Sequence, residues 1–279
     1  MRCLDPVPSH PSSWPAAAGY GPGVTLSDAL EEQYWRDGFV LLRGLFPPED
    51  LAGFDRRFED LVEERAPRPE GMVFMQDVMV VKGAVAPSSR LHGINKILSF
   101  EEDPVLFDYA VDPRVLGPVR SLIGDDLVTL STNVFNKPPG VDGRHPLHQD
   151  LRYFSLRPAD RILASWTAIR PCTRASGCLS VVPGSHRSPL LKHETPDWEY
   201  VNSGFFALAE VDLDARVHVE MEPGDTLFFH SALVHGSGRN RSQDFRRAIA
   251  VHYASAQCER PPVPRKRQPV MKPIPMERS

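Results

Sequence analysis

Cysteine is scarce in this 279-residue chain, which has only Cys3, Cys172, Cys178 and Cys258. At those scattered positions they offer neither the paired short spacings of a zinc site nor the density of a disulfide framework. They suit a reducing compartment, and a cytoplasmic location is expected. Long apolar runs are also missing. No stretch approaches the ~18 continuous apolar residues of a spanning helix, so no membrane partner is expected. The first twenty residues lack the basic head and apolar run of a secretory signal. The closing Met276-Glu277-Arg278-Ser279 is not a Ser-Lys-Leu peroxisomal signal. Positive charge is short as well: 32 Lys and Arg face 36 Asp and Glu, a formal net charge of −4. Residues 259–279 alone carry six Lys/Arg against two Glu, which leaves the remainder near −8. A basic groove for nucleic acid is therefore not expected.

Proline, by contrast, is abundant. The 28 prolines are about a tenth of the chain, roughly twice the usual share. Five precede Val24 and six follow Cys258, which divides the chain into a flexible Pro-rich segment 1–22, a single domain 23–258, and a basic Pro-rich tail 259–279 expected to be flexible. Within the domain, residues 27–38 read as a helix, with Ser27 as N-cap, acids in the first turns and Gly38 at the end. The run 39–43 is β-prone. Pro47-Pro48 then opens a helix with Leu51, Phe54, Phe58, Leu61 and Val62 on one face, and residues 112–124 read as another, with proline in its first turn and glycine past its end. From Leu127 onward, short β-rich runs separated by turn residues cover 127–135, 162–169, 179–182, 217–221, 226–229 and 248–253. A helical first half followed by regular short strands predicts a sandwich or barrel with helices outside it.

Three places carry the chemistry. His145-Pro146-Leu147-His148-Gln149-Asp150 puts an imidazole and a carboxylate two residues apart, hence on one face of an extended segment. The segment 224–238 offers His230 and His235 as a further ligand, and Arg246-Arg247 opens the last strand. Two imidazoles and one carboxylate on one face of an octahedral ion make the facial triad of non-haem Fe(II) oxygenases, with positions left open for co-substrate and oxygen. A nearby arginine suits a distal carboxylate through a two-pronged pair. Spacing alone leaves open His230 or His235, and Arg246 or Arg247. It also leaves open hydrogen-bonded core histidines, a zinc metallohydrolase, and a non-catalytic iron or 2-oxoglutarate binding module.

The run from Met72 to Cys258 resembles the phytanoyl-CoA dioxygenase family of Fe(II)- and 2-oxoglutarate-dependent oxygenases. The resemblance is carried by Asn136-Lys137-Pro138-Pro139, by the stretch from His145 to Leu151 with Tyr153-Phe154, by Ala164-Ser165-Trp166-Thr167-Ala168, by Gly177-Cys178-Leu179 with Pro183-Gly184-Ser185-His186, and by His235-Gly236-Ser237-Gly238. It implies a mainly β fold with flanking helices around a double-stranded β-helix (jelly-roll, cupin-like) core. It implies iron ligands His148, Asp150 and His235, and Arg246 as anchor of 2-oxoglutarate. Lys96, Trp166 and Ser237 would line the co-substrate, as would Asn133, which stands where a close family member has methionine. Strand parity agrees with Arg246, which shares a face with Ala248 and Ala250, whereas Arg247 shares one with Ile249, Val251 and Tyr253. The implied activity uses Fe(II), 2-oxoglutarate and O2 to hydroxylate an unactivated C–H bond with release of succinate and CO2. Asp150 sits where related halogenases have a small residue, which favours hydroxylation. The implied substrate is a small molecule, a branched fatty acyl-CoA hydroxylated at its 2-position, with a secondary metabolite or amino acid as the alternative. Lys137, Arg144, Arg152, Arg157 and Lys192 are candidate cations for a CoA group.

Overall fold

A computed structural model describes residues 23–202, 204–210, 212–260 and 271–275. The segment 1–22, expected to be flexible, lies outside the described residues. In chain order the elements are α1 (Asp28–Asp37), β1 (Phe39–Leu42), α2 (Pro48–Val62), β2 (Val73–Gln76), α3 (Val78–Val81), α4 (Arg90–Gly93), β3 (Ile94–Leu98), α5 (Pro104–Val111), α6 (Pro113–Ile123), β4 (Leu127–Lys137), β5 (His145–His148), β6 (Ile162–Ala168), β7 (Leu179–Val181), β8 (His193–Glu194), β9 (Ala207–Leu208), β10 (Val217–Val219), β11 (Thr226–His230), β12 (His235–Ser237), β13 (Arg246–Ser255) and β14 (Lys272–Pro273).

The helices form where the sequence signals them. α1 ends on Gly38 at φ 87°, a left-handed cap that only glycine adopts cheaply. Its expected N-cap, Ser27, is extended but makes no side-chain cap hydrogen bond. α2 buries the five apolar residues read from its periodicity, and Asp112 caps α6 by accepting from the Arg114 amide.

The strands form two main open antiparallel sheets rather than a closed barrel, with β8 and β9 paired separately in a two-stranded ribbon. The larger runs β1-β11-β6-β13-β4-β3-β2, with β14 also paired to β4; the smaller runs β10-β7-β12-β5. This is the jelly-roll arrangement expected. Period-two alternation gives the larger sheet two different faces. Phe39, Leu41, Trp166, Leu227, Phe229, Ala248 and Ala250 pack against Leu179, Val181 and Val219 of the smaller sheet. Val40, Leu42, Leu163, Phe228, Ile249, Val251 and Tyr253 pack instead with Phe54, Phe58, Leu106, Tyr109 and Val119 from the helices.

Residues 271–275 return to this sheet, with Lys272 opposite Thr129 and Pro273 opposite Val128, and Ile274 is buried in the helix-side core. The described part of the segment expected to be a flexible tail is therefore packed, because its one large aliphatic side chain finds an apolar site beside β4. No helix among the described residues is long and apolar enough to cross a membrane.

Arg247 shows what the helix-side face demands. Its side chain is fully buried, and its guanidinium pairs with Asp55 and, at 3.0 Å, with Glu59, both on α2. Arg170 pairs with the same two carboxylates, each at 2.8 Å, and the Arg247 guanidinium lies 4.4 Å from the Phe58 ring centroid. A buried charge is tolerable only when so paired, and removing one partner strands the others. Arg247→Ala is expected to lower stability by about 3 kcal/mol, read by urea denaturation. An unchanged midpoint would show that α2 is held by apolar packing alone.

Candidate metal centre

The small sheet brings the ligand candidates together. β5 and β12 are antiparallel neighbours with His148 opposite His235, and a short 3-10 turn after β5 carries Asp150 back toward them. One ligand atom from each of His148, Asp150 and His235 lies within 4.8 Å of the others. All three residues are buried. The approach depends on Gly236, where an added Cβ would stand 2.8 Å from the His145 carbonyl oxygen and 3.0 Å from that of Pro146. Any side chain there would push β12 off β5.

Both imidazoles are oriented by the backbone. The Nδ1 of His148 lies 2.8 Å from the Pro146 carbonyl and that of His235 lies 3.0 Å from the Leu233 carbonyl. Each Nδ1–H donates to its carbonyl, which leaves the Nε2 lone pairs facing one another and Asp150. The Nε2 of His148 is buried with no hydrogen-bond partner, although Asp150 Oδ1 is 3.2 Å away. Burial pushes the His235 imidazole down to about 4, against the opposing pull of Asp150, so this ring is neutral and able to ligate at physiological pH. Burial would raise the Asp150 carboxyl, but the imidazoles of His235 and His252, with the hydrogen bond from His252, outweigh it and hold the carboxyl well below its usual range. An orphaned nitrogen, a neutral imidazole and an ionised carboxylate in one buried cluster fit a divalent cation.

The cavity beside these ligands is walled by Trp166, Leu179, Phe229 and Ala250, and it contains Arg246 and Ser237. Arg246 lies 2% exposed. It donates at 3.2 Å to the Gly177 carbonyl, its guanidinium sits 5.3 Å from the Trp166 ring centroid, and its Nε has no partner. No carboxylate pairs with it among the described residues. Burial draws its pKa below the ordinary arginine value, opposed by the Cys172 and Cys178 thiols. Arginine still does not release its proton in the physiological range, so this is a desolvated cation without an anion. It matches the carboxylate of a ligand.

The remaining sequence candidates divide. Trp166 and Ser237 line the cavity. Lys96 sits behind Phe135 and Phe205, with Nζ 5.4 and 5.3 Å from their ring centroids. Burial pushes its ammonium down to about 8, partly offset by Asp150. Asn133 is not among the lining residues; its amide donates at 3.0 Å to the Ser131 hydroxyl. His230 lies away from the cluster, 3.2 Å from Asp160. Lys137 is buried and also lines the metal cavity, where it donates to the carbonyls of Gly143, at 2.5 Å, and Gly238, at 2.6 Å. His186 bonds at 3.1 Å to the Trp35 carbonyl, a structural contact. Burial pushes the Cys172 and Cys178 thiols up to about 12 and about 11, so both are unreactive small core groups.

His145, in the same motif as His148 and Asp150, is stacked between His148 and Phe205, with ring centroids 4.1 and 4.0 Å away. Two further site residues are not legible in the sequence. Phe205 arrives from a loop with no local signal. His252 lies 2.8 Å from Asp150 Oδ2; its parity with Arg246, six residues earlier on β13, is the signal that would have placed it on the cavity face.

Comparison with known proteins gives a consistent result. The sequence model of the family described as phytanoyl-CoA dioxygenase (PhyH) matches residues 34–248. The chain is 44% identical over 241 residues to a probable phytanoyl-CoA dioxygenase of Caenorhabditis elegans, covering 84% of this chain and 77% of that one. It is 42% identical over 230 residues to the peroxisomal phytanoyl-CoA dioxygenase of Homo sapiens, covering 81% and 67%. Among solved structures it is similar to the epimerase SnoN in complex with Fe3+, alpha ketoglutarate and nogalamycin RO, with TM-score 0.63 and 22% identity over 84% of this chain and 86% of that one. At that identity the likeness concerns the fold.

Two variants probe the donor set. His148→Ala is expected to abolish binding of a divalent cation such as Mn(II) in a calorimetric titration. Gly236→Ala is expected to weaken it by on the order of tenfold or more, because β12 must move. Unaltered affinity in either variant would contradict the ligand geometry.

Proposed function

The chain belongs to the phytanoyl-CoA dioxygenase family and is a non-haem Fe(II)- and 2-oxoglutarate-dependent dioxygenase, and on that premise we propose that it hydroxylates the carbon beside the thioester carbonyl of a fatty acyl-CoA. Arg246 carries the co-substrate part of the proposal: a buried guanidinium with no carboxylate partner among the described residues, sharing a cavity with His148, Asp150 and His235. Those three side chains would hold the ferrous ion, and Arg246 would pair with the C5 carboxylate of 2-oxoglutarate. When bound, the ion and co-substrate would let O2 act as the oxidant: one oxygen atom would go to 2-oxoglutarate, giving succinate and CO2, and the other to the unactivated C–H bond as hydroxyl.

The chain's own share is placement. The backbone carbonyls of Pro146 and Leu233 fix the two imidazoles, and the apolar walls of Trp166, Leu179, Phe229 and Ala250 exclude water from the reacting centre. Exclusion of water also strengthens the pairing of Arg246 with its anion. A zinc hydrolase would need a general base, and no glutamate lines the cavity among the described residues.

A second depression supports a CoA substrate. It is lined by Arg144, Arg174, Arg216, Arg241 and His218, and it meets the metal cavity at His145 and Ser237. A phosphate-bearing carrier seated there would leave its acyl group at the cavity entrance. Of the cations singled out in the sequence, only Arg144 belongs to this groove, where its guanidinium is held by Asp142 at 2.5 and 2.7 Å and lies 4.0 Å from the Trp198 centroid. Lys192 is exposed and paired with Glu194 at 2.5 Å. Arg152 lies 4.6 Å from the Phe206 centroid, and Arg157 donates to nearby carbonyls.

Succinate release followed across straight and branched acyl-CoAs, the corresponding free acids and a set of amino acids tests the substrate. Release above the substrate-free rate is expected with acyl-CoAs and not with the free acids. Stimulation by free acids or amino acids alone would remove the acyl-CoA assignment.

A further inference from the structure

We propose that His252 is a positioning residue for the metal-binding carboxylate: by donating to Asp150 Oδ2 it fixes Asp150 as a ligand through its other oxygen. The inference rests on the metal reading of the site. The contact is short, with His252 Nε2 2.8 Å from Asp150 Oδ2, and both residues are buried, at 9% and 6% exposure. It is the one hydrogen bond to the Asp150 carboxylate with normal geometry among the described residues. His235 Nε2 lies farther from the same oxygen, at 3.7 Å, and Oδ1 faces His148 Nε2 at 3.2 Å.

The ring is set for this task. The Nδ1 of His252 is buried without a partner. A proton placed there would be unsatisfied and would turn a bare Nε2 lone pair toward a carboxylate. A proton on Nε2 satisfies Asp150 and leaves only an unused acceptor. Phe154 packs against the ring with centroids 5.1 Å apart, which limits its rotation. β13 supplies His252 on the face that also carries Arg246, Ala248 and Ala250, so one strand carries both the co-substrate anchor and the support of a metal ligand. A carboxylate whose second oxygen is already engaged keeps one orientation and does not have to be reordered when the cation arrives.

The test is Mn(II) titration by calorimetry of the full-length protein, wild type against three variants, with thermal melting of each protein in the absence of metal. His252→Ala is expected to bind Mn(II) ~10–100-fold more weakly, and His252→Gln, whose side-chain amide can donate from nearly the same place, to stay within about threefold of wild type. His252→Phe refills the volume beside Phe154 but cannot donate, so it is expected to match His252→Ala. Recovery of wild-type affinity in His252→Phe, or undiminished affinity in His252→Ala, would overturn the proposal in favour of packing. Should His252→Ala not fold, the comparison of His252→Phe with His252→Gln decides the matter alone. Absence of Mn(II) binding by the wild type would instead overturn the metal reading itself.

Discussion

The alternation of side chains along β13 is the constraint on which the rest of this structure depends. The strand lies between β4 and β6, paired with both over most of its length, so its two faces are committed to different surroundings. Arg246, Ala248, Ala250 and His252 face the metal cavity and the smaller sheet; Arg247, Ile249, Val251 and Tyr253 face the helices. A slip of one residue would exchange the two sets. It would bury Arg246 against α2 and set Arg247, with its isoleucine and tyrosine companions, into the cavity. Register is therefore fixed both by packing and by charge.

The two arginines meet the cost of burial in opposite ways. Arg247 is neutralised inside the protein by Asp55 and Glu59, and its role is to tie α2 to the sheet. Arg246 has no such partner among the described residues, and in the proposed reading it is left for an anion from outside. Ala248 and Ala250 on the same face are small, which under that proposal would leave room for the anion. On that reading an anionic co-substrate would offset the cost of burying Arg246, and so would stabilise the enzyme that binds it.

Much of this is legible in the sequence. Long periodic elements such as α2 and α6, and the β-rich runs that became β4, β6, β11 and β13, announced themselves through apolar spacing and capping residues. So did the opposite orientation of Arg246 and Arg247. The choice of His235 over His230 came from motif resemblance, because both follow the same Gly-Asp turn and spacing cannot separate them. In the fold, His230 ends β11 against Asp160, while the intervening turn delivers His235 to β12 opposite His148. What escaped was non-local. β2 and β3 are defined by partners distant in sequence, Phe205 reaches the site from a loop, and Ile274 packs beside β4 across more than a hundred residues. His252 escaped for a different reason: at the end of an apolar strand a histidine reads as packing until its parity with Arg246 is counted.

The most direct measurement is an anaerobic titration of the Fe(II)-loaded protein with 2-oxoglutarate, followed by the weak visible charge-transfer band that chelation produces, in wild type and in Arg246→Ala. A charge-assisted pair in a buried site is worth ~2–3 kcal/mol, so the half-saturating 2-oxoglutarate concentration should rise by roughly 30–150-fold in the variant while the band itself survives. Equal affinity in the two proteins, or no band in the wild type, would contradict the account.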